Sequence, residues 1–188
     1  MGSLTQEQIS IVIGSLLGDG SLRRAKGRKN ALLEANHAFR YKSYVDWKYE
    51  KLKNIVGTGP KSRKGKGVRI AYRFTTLSNP ELTKIYKKFY QGRRKVVPLD
   101  LKLYPLTLAV WFMDDGSKSR SSVYLNSQQF SVLDQQRLLK FLKDQWKIKG
   151  SLNKDKIYYR IRISTESTKV LKEIIRPYIL PIFKYKLE

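Results

Sequence analysis

The chain has 188 residues, and its 39 lysines and arginines against 15 aspartates and glutamates give a formal net charge of +24. With one histidine and no cysteine, it has no disulfide framework, thiolate metal site, iron–sulfur cluster or cysteine nucleophile, and a His-rich metal site or Ser-His-Asp triad is a poor fit. So basic a chain needs a polyanion, and 12% aromatic content points to a folded one rather than a basic tail; nucleic acid leads, ahead of anionic membrane.

The opening Met1-Gly2-Ser3-Leu4-Thr5-Gln6 has neither the basic nor the apolar region of a secretory leader, and Gly2-Ser3 reads as a cloning remnant. No apolar run approaches the roughly 18 residues of a membrane span, so an intracellular protein without a membrane partner is expected. A helix is predicted from Thr5 to Leu17, running into Gly18-Asp19-Gly20-Ser21. Ser43-x-x-Asp46 has the form of a capping box opening a helix with Val45, Tyr49, Leu52 and Ile55 on one side. An alternating strand follows over Val68–Thr76, then a helix opened by Asn79-Pro80. A linker is expected near Val96–Tyr104, between Pro98 and Pro105. Beyond it come a helix from Leu106 to Met113 that ends in Asp114-Asp115-Gly116-Ser117, a capping box at Ser131-x-x-Asp134, a strand over Lys156–Ser164 and a last helix.

The order repeats. Asp19 and Asp115 lie 96 residues apart, Phe39 and Phe130 91, Arg73 and Arg160 87, and Lys95 and Lys186 91. A period near 91 residues over nearly the whole chain makes this an α+β protein of two pseudo-twofold units, 1–97 and 106–188 joined by 98–105. Residues 1–97 carry +16 and residues 98–188 carry +8, so more of any salt-dependent affinity belongs to the first unit.

Side chains alternate across a strand, and both strands divide into an apolar face and an arginine face. Arg69, Ala71 and Arg73 alternate with Val68, Ile70, Tyr72 and Phe74; Tyr158, Arg160 and Arg162 alternate with Ile157, Tyr159, Ile161 and Ile163. Ser122–Gln128 puts Tyr124, Asn126 and Gln128 on its polar side. A solvated face is the plainer reading of any one strand. Repetition in a +24 chain favours base-edge contact, because arginine pairs with guanine and Asn or Gln with adenine. Loops holding Arg23, Arg24, Lys26 and Arg28, and Lys61, Arg63, Lys64 and Lys66, read as phosphate clamps, or as mobile solubilising tips; Lys118 and Arg120 belong to the same basic set. His37 reads as packed or DNA-facing rather than as a metal ligand.

Asp19 and Asp115 each follow an apolar helix, where a carboxylate opposes the helix dipole. They read as two unrelated loop aspartates or, since the placement is duplicated, as a pair held for chemistry. Packing of the two helices along the pseudo-twofold axis would set the carboxylates side by side, and a divalent cation relieves such repulsion and activates phosphodiester cleavage.

The segments Val12-Ile13-Gly14-Ser15-Leu16-Leu17-Gly18-Asp19-Gly20 and Leu108-Ala109-Val110-Trp111-Phe112-Met113-Asp114-Asp115-Gly116 resemble the paired signatures of the LAGLIDADG homing endonucleases, two-motif monomeric type. Trp111-Phe112-Met113-Asp114-Asp115-Gly116 is most similar to the branch containing the yeast mitochondrial large-rRNA intron endonuclease, and the resemblance runs through residues 5–187. It implies two αββαββα units, each with an antiparallel sheet forming a DNA-binding saddle, joined at two central helices. It implies Mg²⁺, replaceable by Mn²⁺ and with Ca²⁺ supporting binding, held by Asp19 and Asp115 with the Gly18 and Asp114 carbonyls. It places Lys95 and Lys186 in the two active sites. The implied activity is hydrolysis of both strands of a target of roughly 20 base pairs, spanned by two saddles, which promotes intron mobility. Its own intron RNA is a further implied partner, and a mitochondrion or other organelle the implied compartment. Two departures stand out: Ile13 and Gly14 face Ala109 and Val110 in the second signature, and the chain stops at Glu188, short of the usual tail, as if trimmed. The alternatives are a non-cleaving intron RNA maturase or DNA-binding regulator on the same scaffold, and a ribosomal-type RNA binder, which has no need of twin acidic helix ends.

Overall fold

The computed structural model describes residues 3–65 and 68–188, so Gly2 of the Gly2-Ser3 pair and Lys66 of the second basic loop lie outside the described residues. The chain divides into two compact units, Met1–Lys87 and Lys88–Glu188.

The first unit runs α1 (Gln6–Leu17), β1 (Ser21–Arg23), β2 (Leu32–Ala38), α2 (Lys42–Leu52), β3 (Lys61–Lys64), β4 (Ile70–Thr75) and α3 (Pro80–Phe89, which crosses the boundary). The second has a short hairpin of β5 (Tyr90–Gln91) and β6 (Arg94–Lys95), then α4 (Pro105–Asp115), β7 (Gly116–Ser119), β8 (Ser122–Leu125), α5 (Val132–Trp146), β9 (Gly150–Asp155), β10 (Tyr158–Ile163) and α6 (Thr165–Ile175). Both contain the expected αββαββα order. Their antiparallel sheets have the same strand orders, β1-β2-β4-β3 and β7-β8-β10-β9. The internal repeat is therefore one of topology as well as of sequence.

Local chemistry sets the helix starts. Thr5 and Gln8 form a reciprocal capping box at α1. Ser131 caps α5 by accepting the Asp134 N–H at 3.1 Å. Asn79 Oδ1 accepts the Glu81 N–H at 2.8 Å at the start of α3. The predicted box at Ser43 does not form: a 3-10 turn over Phe39–Tyr41 carries the chain into α2 at Lys42. Asp46 turns outward instead, taking Lys42 Nζ at 2.6 Å and the Tyr72 hydroxyl at 2.9 Å. That carboxylate raises the Lys42 pKa, and burial, followed by the bond to Asp46, raises that of Tyr72.

Helices α1 and α4 are buried on most sides, α4 continuously from Thr107 to Met113. Apolar residues on every face predict such enclosure. The expected apolar strand faces hold only in part. Tyr72, Phe74, Ile161 and Ile163 are buried, but Val68 and Ile157, which precede β4 and β10, and Ile70 and Tyr159, at the strands' starts, are exposed.

The expected linker is fastened to the second unit. Asp134 Oδ1 accepts the buried Val97 N–H at 3.1 Å, Arg137 donates to the Val97 carbonyl at 2.8 Å, and Gln145 and Trp146 bond the backbone of Leu101 and Leu103. The compact units accordingly divide ten residues earlier than the sequence-based 97/98 boundary. Pro105, expected to interrupt structure, is the first residue of α4. The similar basic tails at Lys95 and Lys186 end in different structures, the β5–β6 hairpin and a 3-10 segment, Pro181–Lys186.

The chain leaves both buried helices tightly, α1 through Gly18–Gly20 and α4 directly at Gly116. A Cβ on Gly20 would lie 2.7 Å from Ser15 Cβ and 2.9 Å from its carbonyl oxygen, and a Cβ on Gly116 would lie 2.4 Å from the Phe112 carbonyl oxygen. Gly116 has φ −72°, so steric room rather than a left-handed backbone requires glycine here. Gly20→Ala and Gly116→Ala should each lose about 1–3 kcal/mol in urea unfolding, the range for overpacked sites. Gly59→Ala, whose Cβ would sit 3.8 Å from the Tyr49 ring, should stay within about 0.5 kcal/mol of the parent.

Candidate nucleic-acid interface and acidic helix ends

In the first sheet Leu22, Leu33, Ala35, Tyr72 and Phe74 are buried on one face. Period two sends Arg23, Glu34, Asn36, Ala71 and Arg73 to the other. Strand register adds Lys61 opposite Arg73 and Arg63 opposite Ala71. Lys61–Lys64 is thus an exposed edge strand rather than the expected loop, and Lys64, opposite Ile70, points to the other face from Arg63. Lys26 and Arg28 remain in an exposed loop turned by Gly27 at φ +73°. The Arg24 guanidinium stands over the Tyr86 ring of α3 at 5.4 Å, on the helix side.

Glu34 was not anticipated. It sits within the basic face and holds two predicted contact residues, Arg73 at 3.2 Å and Arg23 at 3.4 Å. The alternation that singled out Arg73 continues on the paired strand, where register sets Asn36 beside Arg73.

The second sheet presents Ser117, Tyr124, Arg162 and Ser151 across one row of its open face, and Arg160 and Asn153 in the next. Arg160 lies over the Tyr124 ring at 4.0 Å and donates to Asn126 Oδ1 at 3.2 Å; Arg162 donates to Ser122 at 3.2 Å. Gln128 is tied to Asp155 at 2.9 Å, and Tyr158 is exposed. Arg120 occupies the β7–β8 turn with φ 50°. Lys118 faces the other way, in register with Val123 and Ile163. There it and Arg176 add to the burial that lowers the Lys172 pKa. By the repeat, Tyr124 stands where the first unit has Glu34, and Arg160 where it has Arg73.

Asp19 lies just beyond α1 with its side chain 53% exposed, 3.7 Å from Nδ1 of the buried His37. Its surroundings form a polar cleft with Glu34, Asn36, Arg40 and Arg69. Asp115 is the last residue of α4 and half-buried. Its carbonyl accepts both the backbone N–H of Asn126 at 3.0 Å and its side-chain amide at 2.9 Å. Asn126, predicted as a DNA contact, therefore also braces the acidic turn. Lys186 Nζ donates to the Met113 carbonyl at 2.7 Å, next to that turn, and Lys95 Nζ to Gln129 at 2.8 Å. Both lysines belong to the second unit by contact, although each follows the last helix of its half of the repeat, Lys95 after α3 and Lys186 after α6.

Among the described residues, no three His, Cys, Asp or Glu side chains gather into a cage for a metal. One accessible carboxylate at each helix end suits Mg²⁺, which takes one or two carboxylates and fills its remaining positions with water and substrate phosphate.

A sequence profile of the LAGLIDADG DNA endonuclease family matches residues 9–171. The chain belongs to that family. The cytochrome b mRNA maturase bI2 of Saccharomyces cerevisiae is 32% identical over 100% of this chain, which spans 48% of that relative's length. The DNA endonuclease I-ChuI of Chlamydomonas applanata is 30% identical over 98% of this chain and 96% of its own. In structure, the chain is similar to the homing endonuclease I-WcaI bound to its DNA recognition sequence, with a TM-score of 0.93 and 25% identity over 100% of this chain and 88% of that one. The LAGLIDADG fold expected from the two signatures is the observed fold.

In this LAGLIDADG protein, Glu34 tempers the basic face of the first sheet. Replacing it (Glu34→Gln) should release Arg23 and Arg73, tighten binding to any duplex and steepen the plot of log affinity against log salt by about 0.9, one phosphate's worth. Fluorescence anisotropy over a salt series measures this.

Proposed function

We propose that this chain is a site-specific, metal-dependent DNA endonuclease that acts as a monomer, cuts both strands of a target of about 20 base pairs, two half-sites a helical turn apart, and promotes intron mobility. The observation that carries this reading is the duplicated carboxylate, Asp19 and Asp115. Each stands at the C-terminal end of a buried helix, Asp19 just past α1 and Asp115 as the last residue of α4, before a sheet whose open face carries arginines.

Asp19 and Asp115, with the carbonyls of Gly18 and Asp114, would hold Mg²⁺. Bound there, the ion supplies an activated water and offsets charge on the phosphate. The protein's part is placement. Asn126 fixes the Asp115 backbone, and the sheets set the register of the duplex through phosphate and base contacts. Lys186, held at the end of α4, and Lys95, held by Gln129, present positive charge that stabilises the transition-state phosphate. Mn²⁺ should substitute, and Ca²⁺ should support binding. A mitochondrial or other organellar location goes with this reading, since relatives in Saccharomyces cerevisiae and Debaryomyces hansenii are cytochrome b mRNA maturases.

Those relatives also favour one second reading, that the chain assists splicing of its own intron RNA. A cleavage selection on a large duplex pool, with Mg²⁺ and separately with EDTA, distinguishes the two. Mg²⁺-dependent ends at one long site establish the nuclease; a protected site without ends, together with tight intron RNA binding, establishes the second reading. Asp19→Asn or Asp115→Asn should abolish double-strand cleavage while duplex affinity stays within a few-fold. Arg160→Ala should cost about 1–3 kcal/mol at particular base pairs, whereas Lys61→Ala should weaken all targets alike and reduce the salt slope by about 1.

A further inference from the structure

His37 and Lys48 form a buried polar pair beside one of the two acidic turns, and the function proposed above gives them no role. Lys48 is fully buried, with the Tyr44, Lys48 and Leu52 side chains along the inner face of α2. Its Nζ lies 3.4 Å from His37 Nε2 and 4.3 Å from the centre of the Tyr44 ring. The other ring nitrogen, Nδ1, lies 3.7 Å from the Asp19 carboxylate. A lysine ammonium has three donors and no acceptor, so Nε2 facing it must accept. In a neutral imidazole the proton then resides on Nδ1, the nitrogen nearest Asp19.

We propose that His37 is a positioning residue for Asp19, locked by Lys48 with its proton on Nδ1, and that it serves only the active site built on the first unit. At 3.7 Å the contact with Asp19 is electrostatic, longer than a hydrogen bond. It holds the carboxylate's orientation and its negative charge, as outer partners do for metal-binding carboxylates. The matching place in the second unit holds no histidine, since the chain's one histidine is His37. One residue past Asn126, as His37 is one past Asn36, stands Ser127, whose hydroxyl donates to Gln135 at 2.9 Å and accepts from the Ile161 N–H at 3.2 Å. There Asn126 supports the acidic turn through the Asp115 carbonyl.

This inference rests on the proposed nuclease function and separates from it in one experiment. A duplex target with differently labelled strands is cut by the parent, by His37→Leu, by His37→Asn (whose amide nitrogen stands near the place of Nδ1) and by Lys48→Met. The parent should cut both strands at similar rates. In His37→Leu and Lys48→Met one and the same strand should be cut about 10–100-fold more slowly, the usual cost of losing such a partner. Nicked duplex then accumulates, the other strand is cut at the parent rate and duplex affinity is unchanged. His37→Asn should restore most of the slow cut. A structural defect would slow both strands together, and that result, or equal rates in every variant, overturns the proposal. A parent that cuts neither strand overturns the nuclease reading and this inference with it.

A second readout needs neither metal nor DNA. The chain has one histidine, so ¹⁵N-histidine labelling gives a single imidazole signal. Recorded on the neutral ring, the metal-free protein should show the Nδ1–H form, and Lys48→Met should lose it. An Nε2–H ring in the parent overturns the proposal even where Lys48→Met fails to fold.

Discussion

Leaving a buried helix for the first strand of a sheet through three residues, as after α1, or none, as after α4, requires the backbone to fold tightly against the helix's own last turn. Gly20 and Gly116 make that turn possible, because any Cβ there would overlap Ser15 or Phe112. The residue before each glycine then has one place to go, the end of the helix at the edge of the sheet, and in both units that residue is an aspartate. A carboxylate there is electrostatically unfavourable by itself. Its surroundings supply compensation: His37 near Asp19, and Lys186 on the last carbonyls of α4 near Asp115.

The two units repeat a topology while differing in chemistry at matched positions. Arg73 is held by a carboxylate, Glu34, whereas Arg160 rests on an aromatic ring, Tyr124. One arrangement neutralises a cation and the other leaves its charge undiminished. The buried support differs in the same way: a lysine–histidine pair in the first unit, a serine–glutamine pair in the second. A duplicated fold of this kind presents two distinct surfaces from one plan, which a single pattern of alternation does not distinguish.

Much of this was legible in the chain. Two signatures at repeat spacing gave the family and with it the αββαββα order, and Ser131 and Asn79 mark helix starts that the structure has. Arg160 and Arg162 lie on the open face as their spacing predicts. The failures share a cause. Ser43 matched a capping pattern, yet α2 begins one residue earlier, as the continuation of a 3-10 turn. Val68 and Ile70 alternate correctly but stand before and at the first residue of β4, where they are exposed. Lys118 and Lys64 are basic residues in basic stretches, and only strand register reveals that they point away from the open face.

The sequence by itself determined which residues repeat, where the principal helices fall, and that an aspartate ends each signature, because these depend on local spacing and on chain neighbours. Tertiary structure alone decided what stands beside each charged group: Glu34 between two arginines, Lys48 buried behind His37, Asn126 on the Asp115 carbonyl, and Asp134 fastening the segment at Val97. Each of these pairs joins different elements, separated by 11 to 39 residues in the chain. Electrostatic and hydrogen-bond partners are chosen by distance in space, and the register of a sheet and the packing of a helix set that distance.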